Sequence, residues 1–204
     1  MDFSTVVPSG YLPPITYFTA ICSGNSTVID QFEYFEKQTY RNRCEILSAN
    51  GILKLVIPLD DRKNKSIVKD CRISYKENWQ KKHWKSIESA YNRSPYFEFY
   101  KDDFIAFYEK SNNVFLIDFN TDLLNLVLKL LKIKKEITLS SEYIEKSILL
   151  NKLDLRTHFH NNSETIVHPT KKYIQVFSDK FGFVPNLSII DLLFNCGPEA
   201  TSYL

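Results

Sequence analysis

Cys44-Glu45-Ile46-Leu47-Ser48-Ala49-Asn50-Gly51-Ile52-Leu53-Lys54-Leu55-Val56-Ile57-Pro58-Leu59 holds two apolar runs, 44–47 and 52–59, either side of Ala49-Asn50-Gly51. Asn-Gly between such runs is the strongest short-range hairpin signal, because both residues tolerate positive φ. An antiparallel hairpin at this point, followed by a chain of helical periodicities, makes the fold α+β rather than alternating α/β.

The flanks agree. Val6-Val7 before Pro8-Ser9-Gly10 has the form of a strand end and a turn. Pro13-Pro14 opens a short helix, since proline at a first turn loses no hydrogen bond. Ile15, Phe18 and Ile21 or Cys22 give it an apolar stripe, and Ser23-Gly24-Asn25 ends it. Thr27-Val28-Ile29 is a second strand and 67–74 alternates well enough for another. Beyond them Trp79, His83, Ile87 and Ala90 or Tyr91 recur at helical spacing along one face, with Lys81, Lys82, Lys85 and Glu88 opposite and Ser94-Pro95 as the stop. Asp102-Asp103 open the next helix, with Phe104, Phe107 and Tyr108 inward, and 114–131 forms a longer one. Ile137-Thr138-Leu139 is a short strand, 161–164 a polar loop, and 173–177 a strand or a helical turn. Ser188 and Asp191 stand at capping-box spacing before the last helix, which Gly197-Pro198 closes. Without repeats or a linker, residues 1–204 are expected to form a single compact domain: an N-terminal mixed sheet with a hairpin, and helices predominating in the C-terminal half.

Composition narrows the function. With 26 basic against 24 acidic residues the chain lacks the charge of a nucleic-acid binder. The longest apolar segment, 123–133, is interrupted by Asn125, Lys129 and Lys132 and is too short for a bilayer. Four scattered cysteines and no basic-then-apolar leader indicate a cytoplasmic, reduced protein. Neither GxGxxG nor GxxxxGK[ST] occurs, so no cofactor is assigned.

Gln38-Thr39-Tyr40-Arg41-Asn42-Arg43 concentrates two guanidiniums, two carboxamides and two hydroxyls. Arg41 and Arg43, two apart, would share a face of an extended backbone and could clamp a carboxylate or phosphate; a solvated strand face is the plainer reading. His83 points inward with Trp79, either as a satisfied core histidine or as a general base. His158, His160 and His168 lack a Cys or carboxylate to complete a ligand set, so no metal is expected. Cys22 could be a thiol nucleophile but is better read as filling. Ser188, Asp191 and His83 could form a triad, yet Ser188 lacks a Gly-x-Ser-x-Gly elbow and a cap role explains it.

Taken in order, Gly10-Tyr11-Leu12-Pro13-Pro14-Ile15-Thr16-Tyr17-Phe18, the 38–43 strip, Asn50-Gly51, Val56-Ile57-Pro58 and Trp79-Gln80-Lys81-Lys82-His83-Trp84-Lys85-Ser86-Ile87 resemble the WbqC-like family. So do Ser94-Pro95-Tyr96-Phe97, Tyr173-Ile174-Gln175-Val176-Phe177 and the 186–197 stretch. The resemblance implies a role beside bacterial O-antigen or surface-polysaccharide biosynthesis. It brings no established catalytic residues; the matching polar positions Tyr11, Gln38, Arg41, Asn42, Arg43, His83 and Gln175 are the expected site lining. On that basis an acyl or aminoacyl transferase acting on an amino-sugar nucleotide is expected. Arg41 and Arg43 would hold diphosphate, Gln38 and Asn42 would read hydroxyls, and His83 would take the amine proton; the partners would be a nucleotide sugar and an acyl donor. The alternative is a non-catalytic binding or accessory module in which the arginines pair with Glu33, Glu36 or Asp30 and His83 packs.

Overall fold

The computed structural model describes residues 4–60, 66–109, 112–149, 152–159 and 171–204. Its short strands β1 (Thr5–Val7), β2 (Thr27–Ile29), β5 (Ile137–Leu139) and β6 (Leu153–Asp154) align in parallel in the order β5-β2-β1-β6. β1 and β2 are buried throughout, as expected for central parallel strands, while β5 and β6 form the edges. The helix α1 (Ile15–Ser23) joins β1 to β2. Every residue from Ile15 to Ile21 is buried, so this helix is enclosed rather than amphipathic.

β3 (Arg43–Ser48) and β4 (Gly51–Val56) form the expected antiparallel hairpin. Ala49 and Asn50 make the turn, and Gly51 follows at φ 101°, a conformation that favours glycine. Helices dominate after it: α2 (Trp79–Tyr91), α3 (Phe97–Glu109), α4 (Leu116–Leu130), the single turn α5 (Ser178–Phe181) and α6 (Ile189–Cys196). The Asn78 side chain accepts from the Lys81 N–H and caps α2, whose Trp79, His83, Ile87, Ala90 and Tyr91 are all buried. One apolar cluster spans the fold from Val7 to Ala200. Phe194 of α6 lies at its centre, against the rings of Tyr91, Phe97 and Phe104 at 5.3, 5.2 and 5.4 Å.

Four local expectations change. Residues 67–74 form no strand: Val68–Asp70 is a 3-10 turn, and single bridges tie Ile67 to Tyr34, Arg72 to Phe115 and Ile73 to Leu59. Three partners in succession give no common ladder. α3 starts at Phe97, ahead of Asp102-Asp103, because Phe97 packs on Trp84 and Phe194. Residues 171–175 carry no regular secondary structure and 176–177 form a turn. Ser188 occupies the N-cap of α6 without a side-chain cap bond. Its hydroxyl donates to the Leu12 carbonyl at 2.8 Å, and Asp191 is engaged by tyrosines. The 161–164 loop, His160 and His168 lie outside the described residues.

Candidate functional site

The parallel strands end in polar residues. The backbone ladder runs one step past them, with the Asp30 N–H on the Val7 carbonyl, the Ser140 N–H on the Ile29 carbonyl and the Leu155 N–H on the Val6 carbonyl. Asp30, Ser140 and Arg156 thereby meet at the carboxyl edge of the sheet, where open parallel sheets hold their ligands. Asp30 is fully buried and accepts from Arg156 Nη1 at 2.6 Å, the Ser140 hydroxyl at 3.2 Å and the Phe32 N–H at 3.0 Å. Arg156 also forks onto Asp154, through Nε at 2.9 Å and Nη2 at 2.8 Å, and its Nη1 reaches the Ile144 carbonyl.

A second fork lies beside the first. Arg41, 2% exposed, donates through Nε and Nη2 to the two oxygens of Glu33 at 2.9 and 2.6 Å. Its Nη1 reaches Thr39 and Glu36, and Nη2 also donates to the Arg156 carbonyl at 3.2 Å. All five guanidinium N–H donors of Arg41 are thus committed, and four of the five on Arg156. Asn120 of α4 braces the strip from behind, its amide donating to the Ser9 hydroxyl and the Arg41 carbonyl.

These charges floor a cleft of about 140 Å³. Glu36, Asp154 and Lys146 stand at its rim with two unusually exposed tyrosines, Tyr34 at 58% and Tyr143 at 48%. The Arg156 guanidinium lies over the Tyr143 ring, 5.5 Å from its centre. Burial pushes the Glu33 carboxyl up to about 7, against the pull of Arg41 and with a further push from Asp30. Burial also raises Asp154, but its hydrogen bonds from Arg156 outweigh that and hold it below the usual carboxylate range.

Of the seven residues expected to line a site, Arg41 alone lines this cleft. Its donors are turned inward onto Glu33 and Glu36, the pairing foreseen for a module rather than for an anion clamp. Gln38 is exposed in a turn at φ 63°. Asn42 is buried and donates to the Ile57 carbonyl at 2.8 Å. Arg43 is half-buried at the start of β3, on the residue paired with Val56.

Tyr11 and His83 do come together, in the interior. The Tyr11 hydroxyl lies 2.9 Å from His83 Nδ1 and 2.8 Å from the Tyr108 hydroxyl. Burial lowers His83 to about 4, against the pull of the Val56 backbone beside it, and raises Tyr11 and Tyr108. Gln175 belongs to a third network around the buried Asp191, which accepts from Tyr91 at 2.9 Å, Tyr173 at 2.6 Å and Gln175 Nε2 at 3.0 Å. Ser188, Asp191 and His83 therefore sit in separate networks.

Burial pushes the thiols of Cys22, Cys44 and Cys196 up, the last to about 11, the reverse of what activates a nucleophile. Among the described residues no cluster of three His, Cys, Asp or Glu could hold a metal, and no helix is long and apolar enough to cross a membrane.

Sequence reading named Glu33, Glu36 and Asp30 only as internal partners and passed over Asp154, Arg156, Tyr34 and Tyr143. The available signal was an acid placed directly after an apolar strand, as in Val28-Ile29-Asp30, and the alternation Asp154-Leu155-Arg156.

The sequence pattern of the WbqC-like protein family matches residues 9–163 and 151–203. A relative in Mycobacterium tuberculosis, the uncharacterized protein Rv1507c, is 24% identical, the alignment covering 98% of this chain and 96% of the relative. No solved structure matches significantly.

Proposed function

The chain belongs to the WbqC-like protein family, and we propose that it acts, as one unit over its full length, in bacterial surface-polysaccharide or O-antigen biosynthesis. Its reaction is the transfer of an acyl or aminoacyl group to the amine of an amino-sugar nucleotide. The observation that carries this reading is Glu33: a carboxyl raised to about 7 that lines a cleft at the carboxyl edge of a parallel sheet. A base of that strength matches the working pH of an amine acylation. The amine nitrogen attacks the carbonyl carbon of an activated acyl donor, the carbon–nitrogen bond forms, and the bond to the leaving group breaks. Glu33 takes the proton released by the nitrogen and returns it to the leaving group. Arg41 holds Glu33 in position through its fork and gives up no donor to the substrate. In this role Glu33 replaces His83, whose ring is buried against Tyr11 and lies outside the cleft lining.

The second reading, a binding or accessory module without chemistry, is favoured by the closure of Arg41, His83 and Gln175 into internal networks. Thermal-shift screening against amino-sugar nucleotides, followed by turnover assays with acyl-thioester and aminoacyl donors, separates the two. The transferase reading requires a stabilising ligand and turnover that falls at least a hundredfold in Glu33→Gln. Ligand binding with no transfer to any donor would leave the module.

A further inference from the structure

Building on the cleft assignment above, we infer that the cleft seats the amino-sugar ring itself, flat between the Tyr34 and Tyr143 side chains with its amine toward Glu33 and its hydroxyls toward Glu36 and Asp154, and that the nucleotide diphosphate lies outside it. The inference rests on which hydrogen-bonding groups face the cleft. Nine of the ten guanidinium N–H groups of Arg41 and Arg156 are spent on carboxylates, a hydroxyl and backbone carbonyls. A diphosphate needs clusters of donors, and beside the two arginines the cleft lining brings the Lys146 ammonium and the Thr157 hydroxyl, too few for two phosphates and set among three carboxylates. What it offers instead is acceptor capacity. A carboxylate has about four lone-pair sites, and Glu36 and Asp154 keep side chains 45% and 27% exposed at the rim. A ligand rich in donors suits that surface, and a protonated amino sugar brings an ammonium and several hydroxyls.

The tyrosines supply the other half of the recognition. Tyr34 and Tyr143 are about half exposed at the mouth of one cleft, although aromatic side chains of this size are ordinarily packed. Tyr143 is held by the Arg156 guanidinium over its ring, and the Tyr34 backbone is fixed by its bridge to Ile67. Both rings can take the apolar face of a pyranose, and a cleft of about 140 Å³ matches a single sugar ring, the remainder of a nucleotide sugar extending past its open mouth.

Saturation-transfer and chemical-shift NMR on the full chain tests this with free 2-amino-2-deoxy and 4-amino-4-deoxy hexoses, their N-acetylated forms, and uridine diphosphate. The expected result is binding of an amino hexose with shifts at Tyr34 and Tyr143, at least tenfold weaker binding once it is N-acetylated, and no competition by uridine diphosphate. Tyr34→Ala and Tyr143→Ala should each weaken binding about tenfold, and Tyr34→Phe should restore it. Equal competition by uridine diphosphate, or unchanged affinity in the Tyr34→Ala, Tyr143→Ala double variant, would overturn the inference. Failure of the transferase reading looks different: the amino hexose binds and both tyrosines respond, yet no acyl group is transferred.

Discussion

Arg41 and Glu33 face each other fork to fork at the buried floor of the cleft, Nε to Oε1 at 2.9 Å and Nη2 to Oε2 at 2.6 Å. The pair joins the 38–43 strip to the carboxyl edge of the sheet, since the same guanidinium also donates to the Arg156 carbonyl. Removing one partner leaves a buried charge without compensation. Arg41→Ala should therefore cost about 3–5 kcal/mol of unfolding free energy at pH 8, read as a lower urea midpoint. At pH 5.5 the loss should shrink, because Glu33 is then protonated in the fold and needs less from Arg41. An equal loss at both values would contradict the raised Glu33 carboxyl.

Glu33 and His83 impose opposite pH dependences. Glu33 is raised from 4.5 to about 7, so the native state holds the extra proton between those values and its contribution is lost as pH rises through 7. His83 is lowered from 6.5 to about 4. Its neutral ring stabilises the fold fully above 6.5, and that contribution is lost as pH falls toward 4. Its size is on the order of 3 kcal/mol. His83→Gln, which keeps a donor and an acceptor, should flatten the acid limb of the stability profile and leave the limb near pH 7 in place. Glu33→Gln should do the reverse. Urea titrations of the two variants between pH 4 and 8 separate the groups.

How far the fold could be read from sequence depends on the distance over which each element is decided. The hairpin, α2 and the Gly197-Pro198 stop are settled by neighbours within a few residues, and each appears where its periodicity or turn chemistry puts it. The parallel sheet is not so settled. β1 and β2 are three residues each, β6 is two, and β1 pairs with β6 across most of the chain. No window contains both partners. The site has the same difficulty: Asp30, Glu33, Arg41, Asp154 and Arg156 converge only once β6 lies beside β1, and a buried ion pair is written with the same letters as a solvated one. The 38–43 strip was informative for position but not for direction, since its best donor, Arg41, faces inward.

Asp191 is the carboxylate on which three donors depend. Tyr91, Tyr173 and Gln175 all donate to it, and Gln175 further ties the Val184 backbone through both ends of its amide. Asp191→Ala should leave those donors buried and unsatisfied and cost about 3–5 kcal/mol, at 1–3 for each unpaired group with partial rearrangement. Tyr173→Phe, which removes one donor and keeps the ring packed on Phe183 and Tyr203, should cost about 1 kcal/mol. If the alanine variant unfolds at the same urea concentration as Tyr173→Phe, the network does not organise the C-terminal segment.

Gly197 closes α6 under two constraints at once. Its φ of 54° lies in the left-handed region, and a Cβ there would overlap the Tyr96 ring. Gly182 shares the first constraint, at φ 68°, without the second, since a Cβ would meet nothing within 4 Å. Gly182→Ala should thus cost only the backbone term, about 1–3 kcal/mol. Gly197→Ala should cost at least about 2 kcal/mol more, because the Tyr96 ring has to shift while its backbone stays tied to the Phe194 carbonyl. Pairing Gly197→Ala with Tyr96→Ala removes the obstructing ring. In thermal unfolding the double variant should then show a smaller Gly197 penalty than the single one, approaching that of Gly182→Ala. Strictly additive penalties would mean that the backbone angle alone makes glycine necessary there.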